Sequence, residues 1–221
     1  MPAFTLYTSP GSTHSKRVRL TLAEGGFDDY ELVLLNLMKG EQKSPEHLKR
    51  HPWGKVPAVV FPDGFTLYES RAISKYLCKR YSLPLLPSES DLEASAKVDQ
   101  AQVVEMAYFG DAAGKLAFEK YAKKLRGWPT DEAVVAECLK SLGAFFDVAE
   151  GILSHQPWMA GDNFTLVDIF YIPLVERLVQ VGHEDLITSR KAVNAWWERA
   201  TCRPAIAKLL AADKAEAAAR K

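Results

Sequence analysis

The sequence has no excess of charge of either sign. Lys and Arg total 28 and Asp and Glu total 28 among 221 residues, so the formal net charge at pH 7 is zero. A protein that binds nucleic acid or an anionic membrane through its overall charge carries a basic excess. The balance therefore argues against both partners, while a local basic site for a small anionic ligand stays compatible with it.

Long apolar runs and paired cysteines are also missing. No run approaches the ~20 residues of a membrane-spanning helix, and residues 1–7 show neither the basic nor the apolar segment of a signal peptide. Cys78, Cys138 and Cys202 are far apart in the sequence and form no CxxC motif. A disulfide framework is therefore not expected, and the sparse cysteines predict a cytoplasmic location. The five histidines show no HExxH motif, so no metal site is expected.

The first eighty residues alternate between strand and helix patterns. Gly25 and Gly26 end one helical pattern, and Ser44 followed by Pro45 is a typical helix start. A β-α-β segment followed by a hairpin and a helix predicts an α/β domain over residues 1–82. In chain order, the strand and helix patterns cover residues 4–7, 15–24, 30–35, 45–50, 58–61, 65–68 and 70–81.

The composition changes after residue 82. Pro84 and Pro87 predict an extended linker over residues 83–90, and residues 91–221 then read as an all-helical domain. Thr165 and Asp168 stand at the spacing of a helix capping box, although Asp replaces the usual Glu there. Between residues 130 and 155 the gaps between apolar residues alternate between four and three, which predicts one buried helix face made of Val135, Leu139, Leu142, Phe146, Ala149 and Leu153.

Three short segments carry residues suited to chemistry, and each also has a structural interpretation. In residues 7–18 a strand leads through a Pro-Gly turn into a helix start, where Ser12 can cap the helix or donate its hydroxyl to an anion. In residues 53–58, Pro57 is a candidate cis proline that would expose the Val56 backbone to an extended ligand, or a plain strand-entry proline. In residues 68–73, Glu69 suits an ammonium group and Ser70 a carboxylate, or the two simply begin a helix.

Together these segments resemble a cytosolic glutathione transferase of the phi class or one of its fungal relatives. The resemblance covers nearly the whole chain. It implies a thioredoxin-like N-terminal domain that binds glutathione, an all-helical C-terminal domain, an apolar electrophile pocket at the domain boundary, and a cytoplasmic homodimer. The segments that carry it are SPGSTHSKRV, LVLLNLMKGEQK, HPWGKVPAV and LYESRAISKYL, followed by KLAFEKY, PTDEAVVAE, MAGDNFTLVDI and RPAI.

The resemblance also implies roles for single residues. Ser12 matches the catalytic serine. Gln42 and Lys55 replace a frequent histidine and a frequent glutamine, yet both still donate hydrogen bonds. The implied glutathione-binding residues are Gln42, Lys43, Lys55, Val56, Pro57, Glu69 and Ser70. The candidates for the electrophile pocket, each of which could equally be a core residue, are Thr13, Leu37, Tyr108, Phe109, Phe118 and Tyr121.

The implied activity is detoxification by conjugation of the glutathione thiolate to small apolar electrophiles, with hydroperoxide reduction as a related reaction. Glutathione is then a co-substrate, and neither a cofactor nor a metal is needed. The alternative is a ligand-binding or regulatory protein of the same fold with little turnover, which the hydroxyl at Ser12 disfavours. A thioltransferase would use a cysteine in the serine turn, and residues 9–17 contain none.

Overall fold

A four-stranded mixed sheet forms the centre of the first part of the chain. The strands are β1 (Thr5–Thr8), β2 (Glu31–Leu34), β3 (Ala58–Val60) and β4 (Thr66–Tyr68), in the order β2-β1-β3-β4. Strand β1 is parallel to β2 and antiparallel to β3, and β3 is antiparallel to β4. This part of the chain also contains helices α1 (Thr13–Glu24), α2 (Pro45–Arg50) and α3 (Ser70–Arg80), and 3₁₀ turns at Leu37–Lys39 and Glu41–Lys43. The predicted thioredoxin-like arrangement is confirmed.

The core of this part follows from two residue spacings. Along β1 alternate residues point inward, so Leu6 is buried while its neighbours Thr5 and Tyr7 are half-buried. The residues that α1 and α3 contribute to this core are four positions apart on each helix, which places them on one helix face. The resulting cluster consists of Phe4, Leu6, Val18, Leu22, Val59, Phe61, Ile73 and Leu77.

The remaining chain is helical, as predicted. The pattern over residues 91–126 gives α4 (Leu92–Val104), α5 (Asp111–Ala117) and α6 (Lys123–Leu125), separated by π-helical turns at Glu105–Gly110 and Phe118–Ala122. The next helices are α7 (Glu132–Leu153), α8 (Leu166–Gln180), α9 (Asp185–Thr188), α10 (Lys191–Thr201) and α11 (Pro204–Ala219). The predicted face of α7 is buried except for half-buried Leu139, and Cys138 and Phe145 extend it.

A buried carboxylate fixes the start of α8. Asp168 Oδ2 accepts a hydrogen bond from the Thr165 N–H at 3.0 Å, and Thr165 Oγ1 accepts one from the Val167 N–H at 3.3 Å. The predicted capping box is therefore present despite the shorter Asp side chain. Asp168 Oδ1 also accepts from the Met159 N–H and from Trp196 Nε1, each at 2.9 Å. Burial raises the pKa of Asp168, and these hydrogen bonds oppose that rise.

The last helix packs against the first one. Asp213 of α11 accepts from Arg19 Nη1 at 2.8 Å and pairs with Lys16 Nζ at 3.0 Å, and both cations lie on α1. The computed structural model, which describes residues 1–219, accordingly divides into one unit of Met1–Leu86 with α11 and a second unit of Pro87–Arg203.

The predicted domain limits of 1–82, 83–90 and 91–221 differ from these units in two respects. Residues 83–86 belong to the first unit, where buried Leu83 and Leu85 anchor them. Helix α11 belongs there as well, because its contacts are with α1. Residues 220 and 221 of the predicted helical domain lie outside the described residues.

Candidate functional site

A small cleft in the first unit is lined by residues from all three predicted segments. Its volume is about 60 Å³. Each segment contributes next to the start of a strand or helix, namely α1, β3 and α3, so their polar groups face one space. The lining residues are His14, His51, Lys55, Val56, Pro57, Glu69 and Ser70.

The start of α3 presents a carboxylate beside a helix N-terminus. Glu69, directly before the helix, has φ 71° and ψ 112°, a conformation that costs a non-glycine residue on the order of 1–3 kcal/mol. Its side chain is exposed and makes no capping hydrogen bond. Ser70 is the first residue of α3 and is buried. An ammonium group fits beside Glu69, and an anion fits at the helix N-terminus beside Ser70.

The segment before β3 is held in place by a histidine. The Val56–Pro57 peptide bond is cis, which confirms that interpretation over a plain strand-entry proline. His47 Nε2 lies 2.7 Å from the carbonyl oxygen of Lys55, and because a carbonyl only accepts, Nε2 donates. His47 is itself positioned by its N–H bond to the Ser44 N-cap at 3.2 Å. Helix α2 therefore fixes the backbone that enters the cleft.

Ser12 caps α1, as the structural interpretation required. Its Oγ accepts a hydrogen bond from the Ser15 N–H at 3.2 Å, and its own N–H donates to the Ser9 carbonyl at 3.2 Å. Gly11 makes the turn with φ 75°, where a side chain is disfavoured. Because the cap uses Oγ as an acceptor, the hydroxyl proton stays available for donation. Ser12 is half-buried and is not itself among the residues that line the cleft.

Gln42 and Lys43 also lie outside the lining of the cleft. Lys43 Nζ donates to the Trp53 carbonyl at 2.9 Å, which ties this loop to the segment that leads into the cleft. Gly54, with φ 58°, sits so close that an added Cβ would lie 2.6 Å from Lys43 Cδ. Gln42 Oε1 is buried and has no hydrogen-bond partner within residues 1–219.

Two histidines of the cleft were missed by the sequence analysis. His51 is buried, its Nδ1 finds no partner in the described chain, and its ring centroid lies 4.8 Å from that of Tyr68. Burial lowers the pKa of His51, and the charge of Glu69 opposes this. His51 directly follows α2, and its ring centroid lies 6.4 Å from that of His47 on the helix, so the spacing of four residues could have signalled a pair.

His14, the second missed residue, sits on the first turn of α1. Its Nδ1 lies 2.8 Å from Arg17 Nη1. Burial of the ring lowers the pKa of His14, and the positive charges of Arg17, Arg71 and Lys55 lower it further. Part of its surface remains exposed, so water moderates this effect, but the direction keeps the imidazole neutral at pH 7.

The residues expected for an electrophile pocket have very different exposures. Phe109 is fully buried, with its ring centroid 5.2 Å from Phe145 and 5.0 Å from Tyr171, so it offers no surface to a ligand. Tyr108 and Phe118 are 67% and 45% exposed. The other three candidates, Tyr121 and the first-unit residues Thr13 and Leu37, are half-buried. The ring centroid of Tyr121 lies 3.3 Å from Arg177 Cζ.

Within residues 1–219, no group of three or more His, Cys, Asp or Glu side chains is arranged to hold a metal ion. None of the helices that the structure describes combines the length and apolar character required to cross a membrane.

Comparison with known proteins links both halves of the chain to the same group. Residues 2–79 match the family model of the glutathione S-transferase N-terminal domain, and residues 132–199 match that of the C-terminal domain. Glutathione S-transferase PM239X14 of Arabidopsis thaliana is 40% identical over 89% of this chain and 91% of its own length.

Two solved structures have the same fold over almost their full length. Glutathione transferase F7 of Populus trichocarpa superposes with a TM-score of 0.89 at 32% identity, covering 94% of this chain and 97% of that one. Glutathione S-transferase I from maize, in complex with an atrazine glutathione conjugate, superposes with a TM-score of 0.88 at 34% identity, covering 96% of this chain and 98% of that one.

Proposed function

The chain belongs to the glutathione S-transferase family, in its phi class, and from that premise we propose a serine-type mechanism in which Ser12 stabilises the glutathione thiolate. The activity is conjugation of glutathione to small apolar electrophiles. The observation that carries the proposed site is the convergence of Lys55, Val56, Glu69 and Ser70 on one cleft.

In the proposed complex each polar group of glutathione meets a group of opposite or complementary character. The Glu69 carboxylate pairs with the γ-glutamyl ammonium, and Ser70 with the N-terminus of α3 holds the neighbouring carboxylate. The Val56 backbone pairs with the cysteinyl unit in the manner of an added strand. Cations and an amide serve the glycyl carboxylate, and the residues proposed for it are Gln42, Lys43 and Lys55.

Ser12 supplies the proposed chemistry without becoming a nucleophile. A free thiol has a pKa of about 8.5, so only ~3% is thiolate at pH 7. A hydroxyl that donates to an anion contributes ~1.5–3 kcal/mol, and a helix N-terminus ~0.3–1 kcal/mol. Together they match the ~2.7 kcal/mol that lowers a thiol pKa by two units. The thiolate sulfur then attacks: with an aryl halide a C–S bond forms, halide leaves, and the thiol proton has gone to solvent.

The proposed electrophiles are small and apolar. The exposed rings of Tyr108 and Phe118 are candidates for contacts with them, as is half-buried Tyr121, whereas Phe109 is excluded by its packing. In the first unit, Thr13 and Leu37 keep the same proposed role. We further propose that the enzyme works as a cytoplasmic homodimer, as the class resemblance implies.

The proposal is tested with the purified protein of 221 residues. Isothermal titration should show binding of glutathione, and turnover should be measured with a panel of aryl halides, isothiocyanates and organic hydroperoxides. Thiolate absorbance of bound glutathione near neutral pH should exceed that of glutathione in buffer. Binding without turnover on any of these electrophiles would instead favour a ligand-binding protein, and absence of glutathione binding would remove the proposed site altogether.

A further inference from the structure

His14 is a hydrogen-bond donor of fixed orientation at the edge of the cleft. Its Nδ1 lies 2.8 Å from Arg17 Nη1, and a guanidinium group only donates. Nδ1 is therefore the acceptor, and the neutral imidazole carries its proton on Nε2. No other hydrogen bond of His14 occurs in the described part of the chain, so the Nε2–H is free for a ligand.

The surroundings of His14 favour an anion. Arg17 is fully buried beneath it, and the charges of Arg71 and Lys55 also act on its ring. Burial of the ring and, after it, these cations disfavour protonation of the imidazole, so His14 contributes a neutral donor within a positive field. A negatively charged ligand group at this place is attracted by the field and receives a directed hydrogen bond.

The other lining residues indicate which anionic group that is. Ser70 and Glu69 line the same cleft as His14, whereas Ser12 does not. A ligand group beside Ser70 also faces the N-terminus of α3, a helix of eleven residues. The anion nearest to His14 is thus the one next to the ammonium that Glu69 attracts, and not the thiolate proposed at Ser12.

We propose that His14 Nε2–H donates to the α-carboxylate of the γ-glutamyl end of glutathione, as a second donor opposite Ser70. This assignment rests on the proposed function, and it makes His14 a binding residue that contacts the substrate. Arg17 acts as its positioning residue, because its bond to Nδ1 selects the tautomer that can donate. Glutathione should therefore be recognised from both α1 and α3.

Two substitutions separate the donor from the packing. In His14→Asn the amide oxygen stands near the place of Nδ1 and can still accept from Arg17, but the distal donor is lost. In His14→Gln an amide N–H₂ reaches the place of Nε2. We expect the Asn variant to bind glutathione about tenfold more weakly by isothermal titration, which corresponds to ~1.4 kcal/mol. The Gln variant should stay within about threefold of the wild type.

The ligand provides the matching control. A glutathione analogue whose γ-glutamyl α-carboxylate is a carboxamide removes the proposed partner, so the Asn variant should bind it within about twofold of the wild type. The unmutated protein offers a readout that does not depend on variant folding. Nitrogen-15 NMR of the His14 ring should show protonated Nε2, and its resonance should move with glutathione and not with the carboxamide analogue.

Three results would overturn the assignment. The first is equal glutathione affinity of the Asn variant and the wild type. The second is an equal loss for glutathione and its carboxamide analogue. The third is a raised thiol pKa of bound glutathione in the Asn variant at unchanged affinity, which would place His14 at the sulfur. Failure of the wild type to bind glutathione is a separate result that counts against the proposed function itself.

Discussion

Replacing Ser12 by alanine should return the thiol of bound glutathione most of the way to its ordinary acidity. The hydroxyl contributes ~1.5–3 kcal/mol to thiolate stabilisation, and removing it leaves the ~0.3–1 kcal/mol of the α1 N-terminus. The thiol pKa should then rise from about 6.5 to about 8. The thiolate fraction at pH 7 falls from roughly three quarters to roughly a tenth, so kcat should drop about tenfold.

The measurement is an ultraviolet titration of the thiolate in the protein–glutathione complex, combined with kcat for an aryl halide. Glutathione affinity should change less than kcat, because the proposed anchoring residues line the cleft and Ser12 does not. The variant also loses the α1 cap, which costs ~1 kcal/mol of stability, so it is assayed well below its melting temperature.

Ser15→Ala is the matched control for the loss of a serine hydroxyl in the same turn. Ser15 is buried, its Oγ has no hydrogen-bond partner among the residues described, and its backbone N–H still reaches Ser12. This variant should keep the wild-type thiol pKa. Ser12→Thr retains a hydroxyl and should recover part of the shift. An unchanged thiol pKa in Ser12→Ala would refute the role of the hydroxyl.

Further predictions concern the cleft and the folded state. Glu69→Ala should raise KM for glutathione roughly threefold at constant kcat in steady-state assays, since its charge acts equally on ground and transition states; a fall in kcat instead would contradict this. Asp168→Ala leaves three buried donors without an acceptor and should lower the free energy of unfolding in urea by ~3–5 kcal/mol. Asp168→Asn should lower it less, and a small loss of stability in Asp168→Ala would contradict the role of this network. Asp213→Ala should lower the free energy of unfolding by ~1–3 kcal/mol, and Asp213→Asn should lower it less. A stability of Asp213→Ala equal to that of the wild type would argue against the contact between α1 and α11. The pKa of both His14 and His51 is lowered in the folded state, so the free energy of unfolding should decrease as pH falls below about 6.5. In urea unfolding of the double variant His14→Asn/His51→Asn, the free energy of unfolding should depend less on pH.

Local sequence patterns were sufficient where one residue spacing decides the structure. The alternation of gaps from Val135 to Leu153 defines the buried face of α7 because helix geometry alone puts those residues on one side. The Thr165 to Asp168 spacing likewise predicts the cap of α8, since both partners lie within one turn. The segment around Pro57 was identified by its motif, and the cis bond agrees with it.

Contacts between distant segments were not predictable in this way. His14 and Ser70 are 56 residues apart and share a cleft only because α1 and α3 pack together. Periodicity could not tell which aromatic of residues 105–122 faces inward, because two π-helical turns change the register there and Phe109 is the one that enters the core. Helix α11 has a weak apolar face and contacts α1 through charged side chains. The hydrophobic pattern of the sequence therefore did not predict that the two helices pack together.

The return of α11 to α1 makes the first unit discontinuous in the chain. During synthesis, residues 1–86 emerge from the ribosome long before Asp213, so Lys16 and Arg19 cannot pair with that carboxylate until α11 has been made. A fragment cut after Leu86 would lack that partner. Removal of α11 should therefore disturb the unit that contains the proposed glutathione site, although α11 is far from that site in sequence.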